Sequence, residues 1–288
     1  MSIAKYEIFS TVIEMGSLTK AAETLHLTQS GVSHAISSLE SELGFPLLTR
    51  SRSGISLTAD GQRILKYIRE IIQKNEQIKQ EANNIKGLES GTIRIGTFPS
   101  VSIQWLPGIL KQFQMLYPSI AIKLMEGNYL EVEQWISRGE VDFGFISLPT
   151  VDSFETIPLK KDRMLCIVAK DHSLSQKTSI KLEEITDELF IMPKDGCDHD
   201  VKRIFKENRI EPKIRFEIAL DQAIIAMVQN GLGVSILPEM ILTGAADQVH
   251  MLTIEQESSR SIALASTSFK NSSPASIKFL DCVRKWIA

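Results

Sequence analysis

Cysteine is scarce in this chain of 288 residues: three are present, at positions 166, 197 and 282, an odd number and widely spaced. No disulfide framework can be drawn from them, and no CxxC pair marks a metal or redox centre. Cys166 lies in an alternating, strand-like run and Cys282 in a C-terminal helical run, so both read as core residues. Apolar runs of bilayer length are missing, and residues 1–11 carry no secretory pattern, so a cytoplasmic protein is expected. GxSxG, P-loop, GxGxxG and HExxH patterns are absent, and the five histidines have no convincing acid–base partner in sequence. This counts against an enzyme. A basic excess is lacking as well: the formal net charge is −3, whereas a strong non-specific nucleic-acid binder would be basic. Residues 1–57 hold Lys5, Lys20, Arg50 and Arg52 against Glu7, Glu14, Glu23, Glu40 and Glu42, one more acid than base. Any attraction to phosphate must therefore be local.

The amino-terminal pattern that is present is specific. Ile3–Met15 reads as a helix closed by Gly16, and Ser17 can cap a second short helix over 18–25. His26 and Leu27 leave room for a turn. Thr28 then offers a cap for a helix over Gln29–Leu43, which Gly44 ends. Val32, Ile36, Leu39 and Leu43 recur at helical spacing and should pack on the preceding helix. The opposite face presents Thr28, Gln29, Ser30, Ser33, His34 and Ser37, all short or planar hydrogen-bonding groups. Such a helix, held at an angle by a short turn, suits a major groove. Residues 45–48 and 55–57 can pair as a wing, with Arg50 and Arg52 near its tip to reach phosphate or a minor groove. The plainer alternative is a pair of surface helices with a solvated polar face.

A spacing match over some forty residues favours the DNA reading. The stretch SLTKAAETLHLTQSGVSHAISSLESELGFPLLTRSRSGISLTADGQRIL closely resembles the winged helix-turn-helix of LysR-type transcriptional regulators. Ala21, Ala22, Leu25, Gln29, Ser33, Ile36, Leu39, Glu40, Leu43, Gly44, Leu47, Arg50, Leu57, Thr58 and Gly61 carry the match. The family more often has phenylalanine at Leu48 and arginine at His34, so base readout here should differ from other members.

Beyond the wing, Thr58 can cap a long helix from Ala59 to about Gly87, with Ile64, Ile71, Ile78 and Ile85 repeating every seven residues. Gly61, Ile68, Asn75 and Ala82 fall at the alternate seam positions. A row of isoleucines needs a partner helix, and no second long helical pattern is available in the chain, so dimerisation through this helix is expected. The resemblance implies an antiparallel pair. After about residue 90 strand and helix patterns alternate, with strands at 92–98, 120–125 and 141–147 separated by helices. That order implies a parallel sheet with helices on its faces. Further strands fit 164–169, 189–192, 214–219, 234–237, 249–254 and 262–266; helices fit 201–208, 222–229 and 275–287.

TIRIGTFPS, LPGILKQFQMLYPSIAI, RGEVDFGF and AMVQNGLGVSILP resemble the effector-binding half of the same family, which is shaped like a periplasmic solute-binding protein. The expected fold is therefore α/β, with an N-terminal all-α winged helix-turn-helix, a long linker helix and a two-lobed effector domain. Its domains would be 1–58 for DNA binding, 59–89 for the linker and 90–288 for the effector. Lobe one would comprise 90–161 and 267–288, lobe two 162–266.

In α/β lobes ligands gather where strand ends meet helix starts. Ser100, Val101 and Ser102 follow the first strand, and Ser147 and Leu148 end the third. If the lobes pair as in the family, Gly196, Cys197, Asp221 and Gln222 face them, and Asn128 reaches in. Ordinary helix capping is the plainer role for each of these residues. The hydroxyls suit a small organic anion. No arginine clamp is evident, so the ligand's charge stays open, and Asp195, Asp198 and Asp221 admit a ligand with an amino group. The run Cys197–Asp198–His199–Asp200 has side chains of metal-ligand type but no fourth ligand cluster, and neither a metal nor another cofactor is expected. A transcription regulator, dimeric through the linker helix and tetrameric through a second interface, is thus expected, with double-stranded DNA and a small-molecule effector as partners. The rival classes are an α/β enzyme and a solute receptor.

Overall fold

The computed structural model describes residues 2–51, 54–150 and 153–287. The chain divides into two compact units, one made of Met1–Gly91 with Arg138–Glu140 and Ser273–Ala275, the other of the remainder.

The first unit carries helices α1 (Ile3–Met15), α2 (Leu18–Thr24) and α3 (Gln29–Leu43), a hairpin of β1 (Leu48–Ser51) and β2 (Gly54–Leu57), and helix α4 (Ala59–Ile85). Three hydroxyls set the helix starts. Ser17 accepts from the Lys20 N–H at 3.4 Å, Thr28 from Gly31 at 3.1 Å and Thr58 from Gly61 at 2.8 Å. Each such cap stabilises its helix by about 1 kcal/mol. Gly44, at φ 84°, takes the left-handed conformation that stops α3. Phe9, Val12, Ala21, Val32, Ile36, Leu39 and Leu47 are fully buried in one core.

The wing begins three residues later than the sequence predicts, at Leu48. The N–H groups of Leu47 and Leu48 both donate to Glu40 Oε1, at 2.7 and 3.1 Å, and Thr58 Oγ1 donates to the Pro46 carbonyl at 2.8 Å. Residues 45–47 are thereby pinned to α3 and to the start of α4. The seam on α4 also differs from expectation. Gly61 and Ile68 are buried in this unit's own core, beside Leu65, because the first turns of α4 pack on α1. Ile71, Ile78 and Ile85 are 42, 69 and 79 % exposed.

The second unit contains, but for Gly91 at the start of its first strand and the first two residues of its last helix, β3 (Gly91–Thr97), α5 (Pro99–Gln104), α6 (Leu106–Leu116), β4 (Ile120–Glu126), α7 (Tyr129–Ser137), β5 (Phe143–Leu148) and β6 (Glu155–Val168). There follow β7 (Ser179–Ile180), β8 (Leu189–Pro193), α8 (Asp198–Asn208), β9 (Lys213–Ile218), α9 (Asp221–Gln229), β10 (Ser235–Pro238), α10 (Glu239–Leu242), β11 (His250–Ile254), β12 (Ser259–Ser266) and α11 (Pro274–Ile287). The single helix expected after β3 is broken at Trp105. Pro107 has no N–H to donate and its ring clashes inside a helix, so it is accommodated in the first turn of α6.

The main sheet runs β4-β3-β5-β12-β6-β11-β7, with β10 also on β6, while β8 and β9 pair separately. Parallel pairing holds for β3 with β5 and for β8 with β9. It does not hold throughout. β12 is antiparallel to both β5 and β6, because it returns from the far end of the chain into the middle of the sheet. Strand β6 is 14 residues long, against the six expected, and its two ends serve different neighbours. Glu155–Arg163 lies along β12, and Met164–Val168 along β10 and β11. Two apolar cores form on either side of this division. Val132, Ile136, Val141, Ile146 and Ala263 make one; Cys166, Phe190, Ile204, Phe205, Ile236 and Leu252 make the other. Cys282 is buried as well. Among the described residues no helix is long and apolar enough to cross a membrane.

Candidate functional site

Two places collect polar chemistry, one in each unit. In the first unit, α2, a turn with His26 at φ 55°, and α3 form a helix-turn-helix. The apolar side of α3 is anchored by Val32, Ile36 and Leu39, none with measurable exposure. Because a helix advances about 100° per residue, the intervening positions turn outward. Thr28, Gln29, Ser30, His34 and Ser37 are exposed and Ser33 is half-buried. The hydroxyls of Thr28 and Ser30 lie 3.2 Å apart, and Thr28 is also the helix cap. Arg52 and the side chain of Arg50 lie outside the described residues.

In the second unit a cavity of about 100 Å³ opens between the β3–α5 turn, the start of α7, the loop before α8, the start of α9 and β12. Five of the ten residues expected at a ligand site line it: Ser100, Asn128, Gly196, Cys197 and Asp221. The other five do not. Val101 turns into the core with no exposure, one position round α5 from Ser100. Ser102 donates to Thr97 Oγ1 at 3.3 Å, and Gln222 faces solvent on α9. Ser147 and Leu148 line a separate hollow of about 210 Å³ with Tyr129, Glu133, Pro149, His199, Asp200 and Arg203. Asn128 and Glu131 cap α7 reciprocally: the Asn128 N–H donates to Glu131 Oε2 at 2.8 Å and the Glu131 N–H to Asn128 Oδ1 at 2.9 Å.

The residue that organises the cavity is Arg260 on β12, which sequence reasoning missed. Its side chain is 1 % exposed and lines the cavity. Its Nε donates to Asp162 Oδ2 at 2.9 Å, Nη2 donates to Ser100 Oγ at 2.7 Å, and Nη1 donates to Tyr129 Oη. Nη2 is also 2.7 Å from Asp162 Oδ2. Asp162 Oδ1 in turn accepts the Met240 N–H at 3.2 Å. An arginine is thus present where none was evident, with its charge already matched by a buried carboxylate. The one clue in sequence was a lone arginine near the start of a strand with no other charge, SRSIALAS.

Burial raises the Asp221 carboxyl to about 6, a shift that the nearby Arg260 only partly offsets. Burial also raises Asp200, which accepts from Ser147 Oγ at 3.3 Å and from Arg203 at 3.4 Å. The Cys197 thiol is pushed well above its ordinary range by burial, with Asp221 adding to the shift. It is therefore a poor nucleophile and a poor thiolate ligand. Asp198 accepts from the Gly196 N–H and from Lys202, both at 2.9 Å, so its carboxylate ties the preceding loop to the first turn of α8.

Known proteins give this geometry its context. Residues 3–62 match the model described as bacterial regulatory helix-turn-helix protein, lysR family, and residues 86–288 match the LysR substrate binding domain. The chain is 35 % identical to the HTH-type transcriptional regulator YvbU of Bacillus subtilis, itself uncharacterised, over 99 % of this chain and 98 % of that one. Among solved structures, a full-length OxyR variant from Pseudomonas aeruginosa superposes with a TM-score of 0.81 at 23 % identity, covering 99 % of this chain and 95 % of that one, a likeness of fold. The effector binding domain of QuiR in complex with shikimate has a TM-score of 0.63 at 26 % identity, over 69 % of this chain and 97 % of that domain. The chain therefore belongs to the LysR family of DNA-binding transcriptional regulators, a helix-turn-helix domain followed by an effector-binding domain.

Proposed function

We propose that residues 1–58 read operator DNA, 59–89 link protomers and 90–288 sense a small molecule, its lobes being 90–161 with 267–288 and 162–266. The observation that carries the DNA assignment is the exposed polar face of α3 opposite a fully buried apolar one. Gln29, Ser33 and His34 read base edges, while Thr28, Ser30, Ser37, Arg50 and Arg52 position the backbone. A unit with no net positive charge grips DNA weakly alone, so two copies act together. The exposed row Ile71, Ile78 and Ile85 on α4 supports pairing of two linker helices, and a second interface in the sensing half makes a tetramer. The protein works by binding rather than catalysis, in the cytoplasm.

The effector occupies the cavity at Arg260, between residues contributed by both ends of the β6 division. A precedent for a small polar ligand is the shikimate complex of the QuiR domain. Binding there shifts the closure of the lobes, and a coupling of about 1–3 kcal/mol is enough to change DNA binding measurably. A footprint on the DNA upstream of its own gene tests the assignment. His34→Ala changes which bases are preferred, by about 1–3 kcal/mol at one position, whereas Arg50→Ala weakens binding across all sequences. Identical footprints for both variants and the wild type would remove α3 from the groove.

A further inference from the structure

The charges around the cavity are not evenly matched. Arg260 is neutralised by Asp162 behind it, and its donors are turned onto Asp162, Ser100 and Tyr129. Little of its charge is left for a ligand carboxylate. Lys194 and Asp195, at the mouth, are exposed and opposite in sign. Asp221 is the carboxylate left over. It lines the cavity from the first turn of α9, and among the described residues no donor reaches its side chain. A desolvated carboxylate without a partner is costly, and a cationic donor entering the cavity relieves that cost.

The wall opposite is different. Ser100 Oγ and Tyr129 Oη each accept a hydrogen bond from Arg260, which leaves each hydroxyl's own hydrogen to donate elsewhere. Those hydrogens suit an oxygen on the ligand. The space is small: about 100 Å³, less than the roughly 150 Å³ that encloses a benzene ring. In this closure it takes about half a dozen heavy atoms. Phe98, Ala219 and Ile241 supply the apolar lining.

We propose that the effector is a small ammonium compound bearing a hydroxyl or carboxylate oxygen, an amino acid or amino alcohol, held by Asp221 at its nitrogen and by Ser100 and Tyr129 at its oxygen. This rests on reading the cavity as the effector site, and departs from the simple organic anion that serine hydroxyls alone would suit.

Calorimetry on the full-length protein at pH 7.5 tests it, first on the wild type and then on variants. Glycine, alanine, serine and ethanolamine are compared with acetate, lactate, glycolate and shikimate. The amine-bearing probes are expected to bind at least about tenfold more tightly than their amine-free counterparts. Asp221→Asn is expected to remove that preference, with circular dichroism confirming that the variant is folded. Failure of every ammonium probe to bind overturns the proposal. Tighter binding of glycolate or shikimate, strengthened further by Asp221→Asn, also overturns it while leaving the cavity as the effector site. Amine binding that neither Asp221→Asn nor Ser100→Phe changes lies elsewhere on the protein, and takes down both this proposal and the effector-site reading beneath it.

Discussion

At the scale of single residues, the Arg260–Asp162 pair is the largest electrostatic commitment in the described chain. Both side chains are almost fully buried, 1 and 2 % exposed. Losing one member strands the other, so Arg260→Ala is expected to destabilise the protein by about 3–5 kcal/mol. Arg260→Met combined with Asp162→Asn restores much of it, since no bare charge remains; chemical denaturation of the three proteins reads the difference. Asp221 works in the opposite sense. Its carboxyl titrates at about 6 in the folded chain against an ordinary 3.8. Between those values the folded state holds a proton that the unfolded state has lost, so stability falls as pH rises through the window. Above about 6 the whole cost is present. Asp221→Asn should therefore raise the melting temperature of ligand-free protein at pH 7.5, by about 1 kcal/mol in stability once partial contact with solvent is discounted. Melting curves at pH 4 should show the gain gone. Asp221 was marked in sequence by its place at a helix start, but the role of Arg260 could not be read along the chain, because it meets Asp162 across 98 positions.

At the scale of elements, whatever depends on neighbours in sequence was legible. Ser17, Thr28 and Thr58 cap the helices they precede because a hydroxyl reaches only the next turn. The core face of α3 follows from its own spacing. Strand β6 was half hidden, since Lys160, Lys161, Asp162 and Arg163 give no apolar alternation and Pro158 interrupts the run; pairing with β12 makes that stretch a strand. The same division applies to the cavity. Helix starts pointed to Ser100 and Asp221, but nothing local distinguishes Ser100 from Val101 and Ser102 until the rotation of α5 is fixed. Close approach is equally invisible from sequence. A Cβ at Gly61 would lie 2.1 Å from the Leu47 carbonyl oxygen, a backbone atom. Alanine improves helix propensity by about 1 kcal/mol, yet the clash outweighs it. Gly61→Ala is expected to lower stability by about 2 kcal/mol or more, measured by urea denaturation.

At the scale of the whole molecule, the question is how many copies act together. Ile78, 69 % exposed in the middle of the α4 row, is the position to probe. Ile78→Lys is expected to shift the protein toward monomer in sedimentation velocity, to weaken operator binding at least about tenfold, and to leave the melting of a monomer nearly unchanged. A dimer that survives the substitution would place the contact elsewhere.

Glu40 carries a consequence for such an assembly. One carboxylate oxygen on α3 holds the backbone of Leu47 and Leu48 where the hairpin departs. The groove-reading helix and its flanking finger are riveted at their root, so neither swivels without the other. A signal arriving at this domain turns helix and hairpin root together: induction acts like a hand turning a key, changing where each reader points while its teeth stay as cut.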